Sequence, residues 1–257
     1  MNDIFIGIST YNEMGWIGRQ LESLLAAISE VPNLNVQIHY YDDCSDSKNS
    51  DKLKTIVIDE QSDLINLTLH RFTEHLGFGG VHAIMFNDIL ECKYTIFLDS
   101  DVLVPRDFLL KLCQYWINKN DDLGILSCIS KKINNLYRET IDIEVKPPEL
   151  ATQLASYCFA FESKKYLEVG GVNPGYQGYF CDSDLCCRFA RAGYKNYRIY
   201  SPYVLHAEHA TMQSEKNNFN LKEIREHDKK IFMDYWKDTP ENMEKHFLKE
   251  WSKNEER

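Results

Sequence analysis

Four short apolar runs, "DIFIGIST" (3–10), "NVQIHYY" (35–41), "LINLTLHRF" (64–72) and "YTIFLDS" (94–100), are rich in Ile, Val, Phe and Tyr and read as strands. Helical patterns separate them: "GWIGRQLESLLAAIS", a stretch near 50–60, and "GGVHAIMFNDIL". A strict strand–helix alternation leaves few folds open. It implies an α/β domain with a mostly parallel sheet flanked by helices. Such sheets bind ligands outside the carboxyl ends of their strands. The polar clusters "STYNE", "YDDCSDS" and "LDSD" all fall at those ends and are expected to converge on one pocket.

The second half is less regular. A strand at "LGILSCIS" is followed by a polar segment through Pro147 and Pro148, an apolar stretch "ASYCFAF", a Gly-rich turn "VGGVNPGYQGYF", a helix "DSDLCCRFARAG" and "YRIYSPYVLHAEH". From about Ser214 the chain turns helical and charged. There Thr239 is suited to cap a helix whose first turn holds Pro240. Met243, Phe247 and Trp251 recur every four residues, the pattern of a packing stripe or of a membrane-surface one. There is no internal repeat and no low-complexity tract.

The composition, 44% hydrophobic and 26% charged over 257 residues, suffices to bury a large core. A formal net charge of −10 argues against nucleic-acid partners, whose binding rests on Lys and Arg neutralising phosphates. The eight cysteines include no CxxC pair, and the opening "MNDIFIGISTYNE" lacks a secretory pattern, so they are expected to be reduced core thiols. No stretch has the length of a membrane-spanning helix, and the expected location is cytoplasmic, with peripheral membrane association left open.

"YTIFLDSDVLVP" ends a buried-looking strand in two carboxylates, Asp99 and Asp101. Strand alternation would point both side chains the same way, where their charges repel unless a cation lies between them. Hard oxygen ligands suit Mn2+ or Mg2+.

Taken in order, "STYNE", "DDCSD", "GFGG", "LDSD", "VGGVNPGYQGYFCDSDLCCRFARAGYK" and "VLHAEHAT" resemble family 2 glycosyltransferases of the GT-A fold over roughly residues 4–212, and "KKIFMDYWKD" resembles the segment after that region in many members. The resemblance implies a GT-A domain over 1–213, with a nucleotide-binding half (1–104) and an acceptor half (105–213), and then a helical extension (214–257). It implies transfer of a hexose-type sugar, with inversion, from a nucleoside diphosphate donor, UDP- or dTDP-linked, to a saccharide or lipid-linked saccharide. The leaving diphosphate develops charge that a metal at Asp101 would stabilise, with Asp99 at the metal or the ribose and His206 as a third ligand. Thr10, Tyr11 and Glu13 would face base and ribose, Tyr11 as a flat stacking surface. Asp42 would accept hydrogen bonds from the base, and Arg71 would reach base or diphosphate. Asp43, Ser45 and Asp46 also suit a helix cap.

The resemblance further implies a carboxylate general base at Asp182, which matches the second position of a pair, often "ED" in inverting members, in which this chain carries Cys181 instead of Glu. Asp184 is the competing candidate, unless its charge serves the helix N-terminus. A second departure from the family pattern is "EHLGFGGVHA", where relatives often carry Asn at the position held by His75 and at one near Ala83.

"GFGG" does not follow strand one, which disfavours a dinucleotide-binding fold. "STYNEMGWIGRQ" carries only Arg19 and lacks the Gly-rich basic loop of a nucleotidyltransferase. A non-catalytic binding module would be expected to lose the carboxylates at 99, 101 and 182. A retaining transferase stays open.

Overall fold

The computed structural model describes residues 2–12, 15–59, 66–118, 120–132, 146–207 and 219–255. In chain order the elements are β1 (Asn2–Thr10), α1 (Ile17–Ile28), β2 (Val36–Asp42), α2 (Ser47–Asp59), β3 (Asn66–Arg71), α3 (Gly77–Ile89), β4 (Cys92–Asp99), β5 (Val102–Leu103), α4 (Phe108–Ile117), β6 (Leu123–Lys132), β7 (Glu149–Leu150), β8 (Cys158–Glu162), α5 (Ser163–Glu168), α6 (Cys181–Arg191), β9 (Lys195–His206), α7 (Leu221–Trp236) and α8 (Pro240–Glu255).

The strands form one sheet in the order β3-β2-β1-β4-β8-β6-β9-β5, with β7 on β9. The first four are parallel, β8 runs antiparallel between β4 and β6, and β6 and β9 are parallel. The chain leaves β1 toward β2 and β3 and then crosses back to place β4 on the other side of β1. The switch point at the carboxyl ends of β1 and β4 is where an open α/β sheet binds ligands. Ser9 there lies beside Asp99 in register.

Both sheet faces are covered, so the central strands are apolar on both sides rather than alternating. One core packs Ile4, Ile6 and Ile8 against Leu21 and Leu24 of α1, Leu53 and Val57 of α2, and Phe108 and Leu112 of α4. The other packs Phe5, Phe97 and Phe161 against Val81 and Met85 of α3, Tyr166 of α5, and Leu185 and Phe189 of α6. Phe232, Phe247 and Trp251 of the C-terminal helices belong to this second core, and Met243 packs on its edge. The four-residue stripe on α8 is therefore a packing stripe, which corrects its alternative reading as a membrane surface. Thr239 supports α8 as expected, its hydroxyl accepting from the Asn242 N–H at 3.3 Å. No helix among the described residues is long and apolar enough to cross a membrane.

All eight cysteines are free thiols, six of them buried and Cys44 and Cys113 half-buried. Sequence reading missed α4 and the short β5, β7 and α5. The two-residue strands have no periodicity to read.

Candidate active site

A cavity of about 530 Å³ opens beyond the carboxyl ends of β1, β2 and β4. Its wall brings together Thr10 and Tyr11, Asp43, the 75–78 segment, Asp99 and Asp101, Tyr157, the 177–179 segment, Asp182, His206 and Phe219.

Asp99 closes β4, and Asp101 sits in the turn between β4 and β5 instead of on an extended strand. Gln20 of α1, fully buried, fixes that turn by donating from Nε2 to the carbonyls of Asp99 (2.6 Å) and Val102 (3.1 Å). β5 pairs with the end of β9, placing Val102 opposite His206, and the Ala207 N–H donates to the Asp101 carbonyl at 3.1 Å. His206 Nε2 consequently lies 3.1 Å from Asp101 Oδ1 and 3.8 Å from Asp99 Oδ2. One ligand atom from each of the three falls within 4.8 Å of the others, a spacing and donor set that fit a divalent cation. Burial, then the charge of Asp101, with Asp182 adding a smaller push, holds the Asp99 carboxyl well above the usual carboxylate range, while His206 opposes the shift. A cation would relieve that repulsion.

Two glycines of "GFGG" dock the start of α3 against the 173–177 loop. Gly77 has φ +71°, and a Cβ on Gly79 would stand 2.6 Å from the carbonyl oxygens of Asn173 and Tyr176. The backbone meets there directly, Phe78 N–H donating to Gln177 O (3.2 Å) and Gly79 N–H to Tyr176 O (2.9 Å). Only glycine permits this approach.

Asp182 lies in the first turn of α6, its Oδ1 accepting from the Ser183 N–H at 2.8 Å, and burial raises its pKa. Asp184 is 1% exposed and turned inward: Trp236 Nε1 donates to Oδ1 at 2.7 Å and Arg188 Nε to Oδ2 at 2.8 Å. Only Asp182 of the two lines the cavity.

Asp42 and Asp43 exchange the places expected of them. Asp42 is fully buried, accepting from Ser45 N–H (3.0 Å) and Ser50 Oγ–H (2.6 Å) at the start of α2, and does not line the cavity. It points with Tyr40 toward the α1–α2 side, because side chains two apart on a strand share a face. Asp43 lines the cavity, accepting from the N–H groups of Leu76 (2.7 Å) and Gly77 (3.0 Å), with His75 Nδ1 at 2.9 Å. The Asp43 hydrogen bond raises the His75 pKa. Arg71 also lies off the cavity wall, half-exposed, with Nε 4.0 Å from Asp42. Asp46, as expected of a cap, accepts from the Asn49 N–H at 2.9 Å.

Thr10 and Tyr11 line the cavity, and the Tyr11 ring stands 4.4 Å from His75 and 5.6 Å from Phe219. Glu13, Glu208 and His209 lie outside the described residues.

Sequence reading missed Phe219, Tyr157 and Asp228. Tyr157 faces His206 at 4.8 Å and donates its hydroxyl to the Cys128 carbonyl at 2.8 Å. Asp228 of α7 is fully buried and accepts from three successive N–H groups, Gln177 (3.0 and 3.1 Å), Gly178 (2.9 Å) and Tyr179 (2.8 Å). It thereby fixes the loop entering α6. An Asp in a charged helix carries no sequence signal of such a role.

Comparison with known proteins agrees with this architecture. The Pyrobaculum calidifontis mannosyltransferase PcManGT, solved with GDP-Man and Mn2+, is similar with a TM-score of 0.61 and 16% identity over 79% of this chain and 56% of its own. TarS (residues 1–349) of S. aureus with UDP-GlcNAc is similar at 0.61 and 15% over 79% and 58%. GalNAc-T7 with UDP, GalNAc and Mn2+ is similar at 0.63 and 16% over 80% and 44%. The chain thus spans about half the length of these proteins, and at such identities the likeness is one of fold, the GT-A fold. No curated protein sequence matches it. The model of glycosyl transferase family 2 matches residues 5–187, most of the chain. By that match the chain belongs to glycosyltransferase family 2.

Proposed function

We propose that the chain transfers a hexose-type sugar from a pyrimidine nucleoside diphosphate sugar to a saccharide or lipid-linked saccharide, with inversion. The carrying observation is that one cavity holds a cation-fitting trio, Asp99, Asp101 and His206, together with a separate carboxylate, Asp182. Inverting transfer can use such a pair, a cation to stabilise the leaving diphosphate and a carboxylate to take the acceptor proton.

Asp99, Asp101 and His206 would hold the metal. When bound, Mn2+ or Mg2+ supplies Lewis-acid stabilisation of the leaving diphosphate. Thr10 and Tyr11 flank the nucleoside, Tyr11 offering its ring face to the base and Asp43, in the place expected of Asp42, offering carboxylate oxygens beside it. Asp182 takes the proton of the acceptor hydroxyl as that oxygen attacks the anomeric carbon. Its raised pKa favours this role, because a base closer to neutrality accepts a proton more readily in the transition state. The 177–179 loop, fixed by Asp228, positions that carboxylate. Residues 1–104 supply most nucleotide contacts and 105–213 the acceptor side, in this reading.

The test is a panel of nucleoside diphosphate sugars with Mn2+ and candidate acceptors, following nucleoside diphosphate release and reading the product anomer by NMR. Inverted product with a pyrimidine donor is expected. Retained configuration would remove Asp182 from the base role, and donor binding without release would indicate a binding module.

A further inference from the structure

We propose that His39, His70 and Asp88 form a second metal site, separate from the catalytic cavity and suited to a zinc-type divalent ion. Strand geometry builds it. His39 and Tyr41 are two apart on β2 and share a face, and His70 of β3 lies beside Tyr41 in parallel register on that face. The helix α3 covers this side of the sheet and brings Asp88 over the two rings. None of the three lines the cavity.

The ligand atoms already converge. His39 Nδ1 is 3.1 Å from His70 Nε2, and each nitrogen is 4.0 Å from Asp88 Oδ2. Zinc bonds of about 2.0–2.1 Å in a tetrahedron set neighbouring ligand atoms about 3.3 Å apart. The imidazole pair stands near that spacing, and the carboxylate needs to approach by less than about 1 Å. Tyr41 donates its hydroxyl to Asp88 Oδ2 at 2.6 Å, the kind of outer hydrogen bond that orients a ligating carboxylate. The rings are held as well: Tyr41 stacks on His70 at 4.5 Å and 6°, and Phe5 meets His39 edge-on at 5.0 Å.

Access and chemistry agree. His39 is buried, whereas the side chains of His70 and Asp88 are about one third exposed (32% and 30%), leaving an entry and a fourth position for water. Two imidazoles with one carboxylate favour Zn2+, Co2+, Ni2+ or Cu2+ over Mg2+ and Mn2+, the reverse of the preference of Asp99 and Asp101. An ion held here would tie the sheet edge, β2 and β3, to α3, whose first turn lines the cavity.

The test uses the full chain, stripped with a chelator, dialysed free of it and held in excess Mg2+. Zn2+ binding is measured by equilibrium dialysis on the parent and on His70→Ala, and the imidazole 15N signals of the parent are followed as Zn2+ is added. The proposal expects His70→Ala to bind one Zn2+ fewer, and the His39 and His70 ring nitrogens of the parent to shift together at the first equivalent. Equal stoichiometry in folded parent and variant overturns it. So does Zn2+ uptake that leaves both ring signals unmoved, a measurement that needs no variant.

Discussion

The indole N–H of Trp236 donates to Asp184 at 2.7 Å, and Arg188 holds the other oxygen of that carboxylate at 2.8 Å. The C-terminal helix α7 thereby takes one of two neighbouring acidic residues out of the cavity and leaves Asp182 in it. Asp182→Asn keeps shape but cannot accept a proton, so turnover should fall roughly 100-fold or more while donor affinity barely changes. Asp184→Asn should instead unfold the protein more easily. Removing one partner of a buried ion pair costs about 3 kcal/mol, more than the charge would contribute at an exposed helix start. Turnover, donor titration and thermal melts of both variants decide it; a dead Asp184→Asn beside an active Asp182→Asn reverses the assignment.

His206, Asp99 and Asp101 predict a metal requirement. EDTA should abolish transfer, and Asp101→Ala should lose at least about 2.7 kcal/mol of transition-state stabilisation, the scale of one strong electrostatic contributor. Initial rates with and without restored Mn2+ measure both. Full activity in excess chelator would rule out this trio as a catalytic metal site.

Asp42 and Asp43 should separate stability from nucleotide binding. UDP with Mn2+ should raise the melting temperature by mass action on the folded state. Asp43→Ala should shrink that shift, whereas Asp42→Ala should lower the melting temperature without ligand and keep the shift. The opposite pattern would return the base to Asp42.

Asp228 collects three backbone N–H groups ahead of Asp182. Hydrogen bonds to a buried charge contribute about 1.5–3 kcal/mol each, so Asp228→Asn should loosen the loop. Turnover is expected to drop about tenfold, with melting lowered and nucleotide affinity little changed. Unaltered turnover would make the clamp purely structural.

Burial of His82 between Phe78 and Phe97 lowers its pKa to about 4. The folded chain then refuses a proton that the unfolded chain accepts below about pH 6.5. Stability should therefore fall as pH drops from about 6.5 toward 4, by up to about 1.4 kcal/mol per pH unit from this residue. Denaturant melts across that range should show a shallower slope for His82→Gln; identical slopes would exclude His82 as the cause.

The strand and helix order of the first hundred residues was legible from sequence because apolar periodicity and polar strand ends are local properties, and the parallel sheet is implied by their alternation. Tertiary structure decided which carboxylate faces the cavity. Asp42 and Asp43 are neighbours, and only the register of β2 beside β1 and the packing of α2 turn one inward to a cap and the other to the 75–77 segment. Asp182 and Asp184 are told apart by Trp236, 52 residues from Asp184, and the loop before them is fixed by Asp228 of the same helix. His39, His70 and Asp88 likewise meet only once β2, β3 and α3 are assembled. Backbone pattern depends on residues a few positions apart, whereas the direction and partner of a polar side chain depend on what distant segments bring against it.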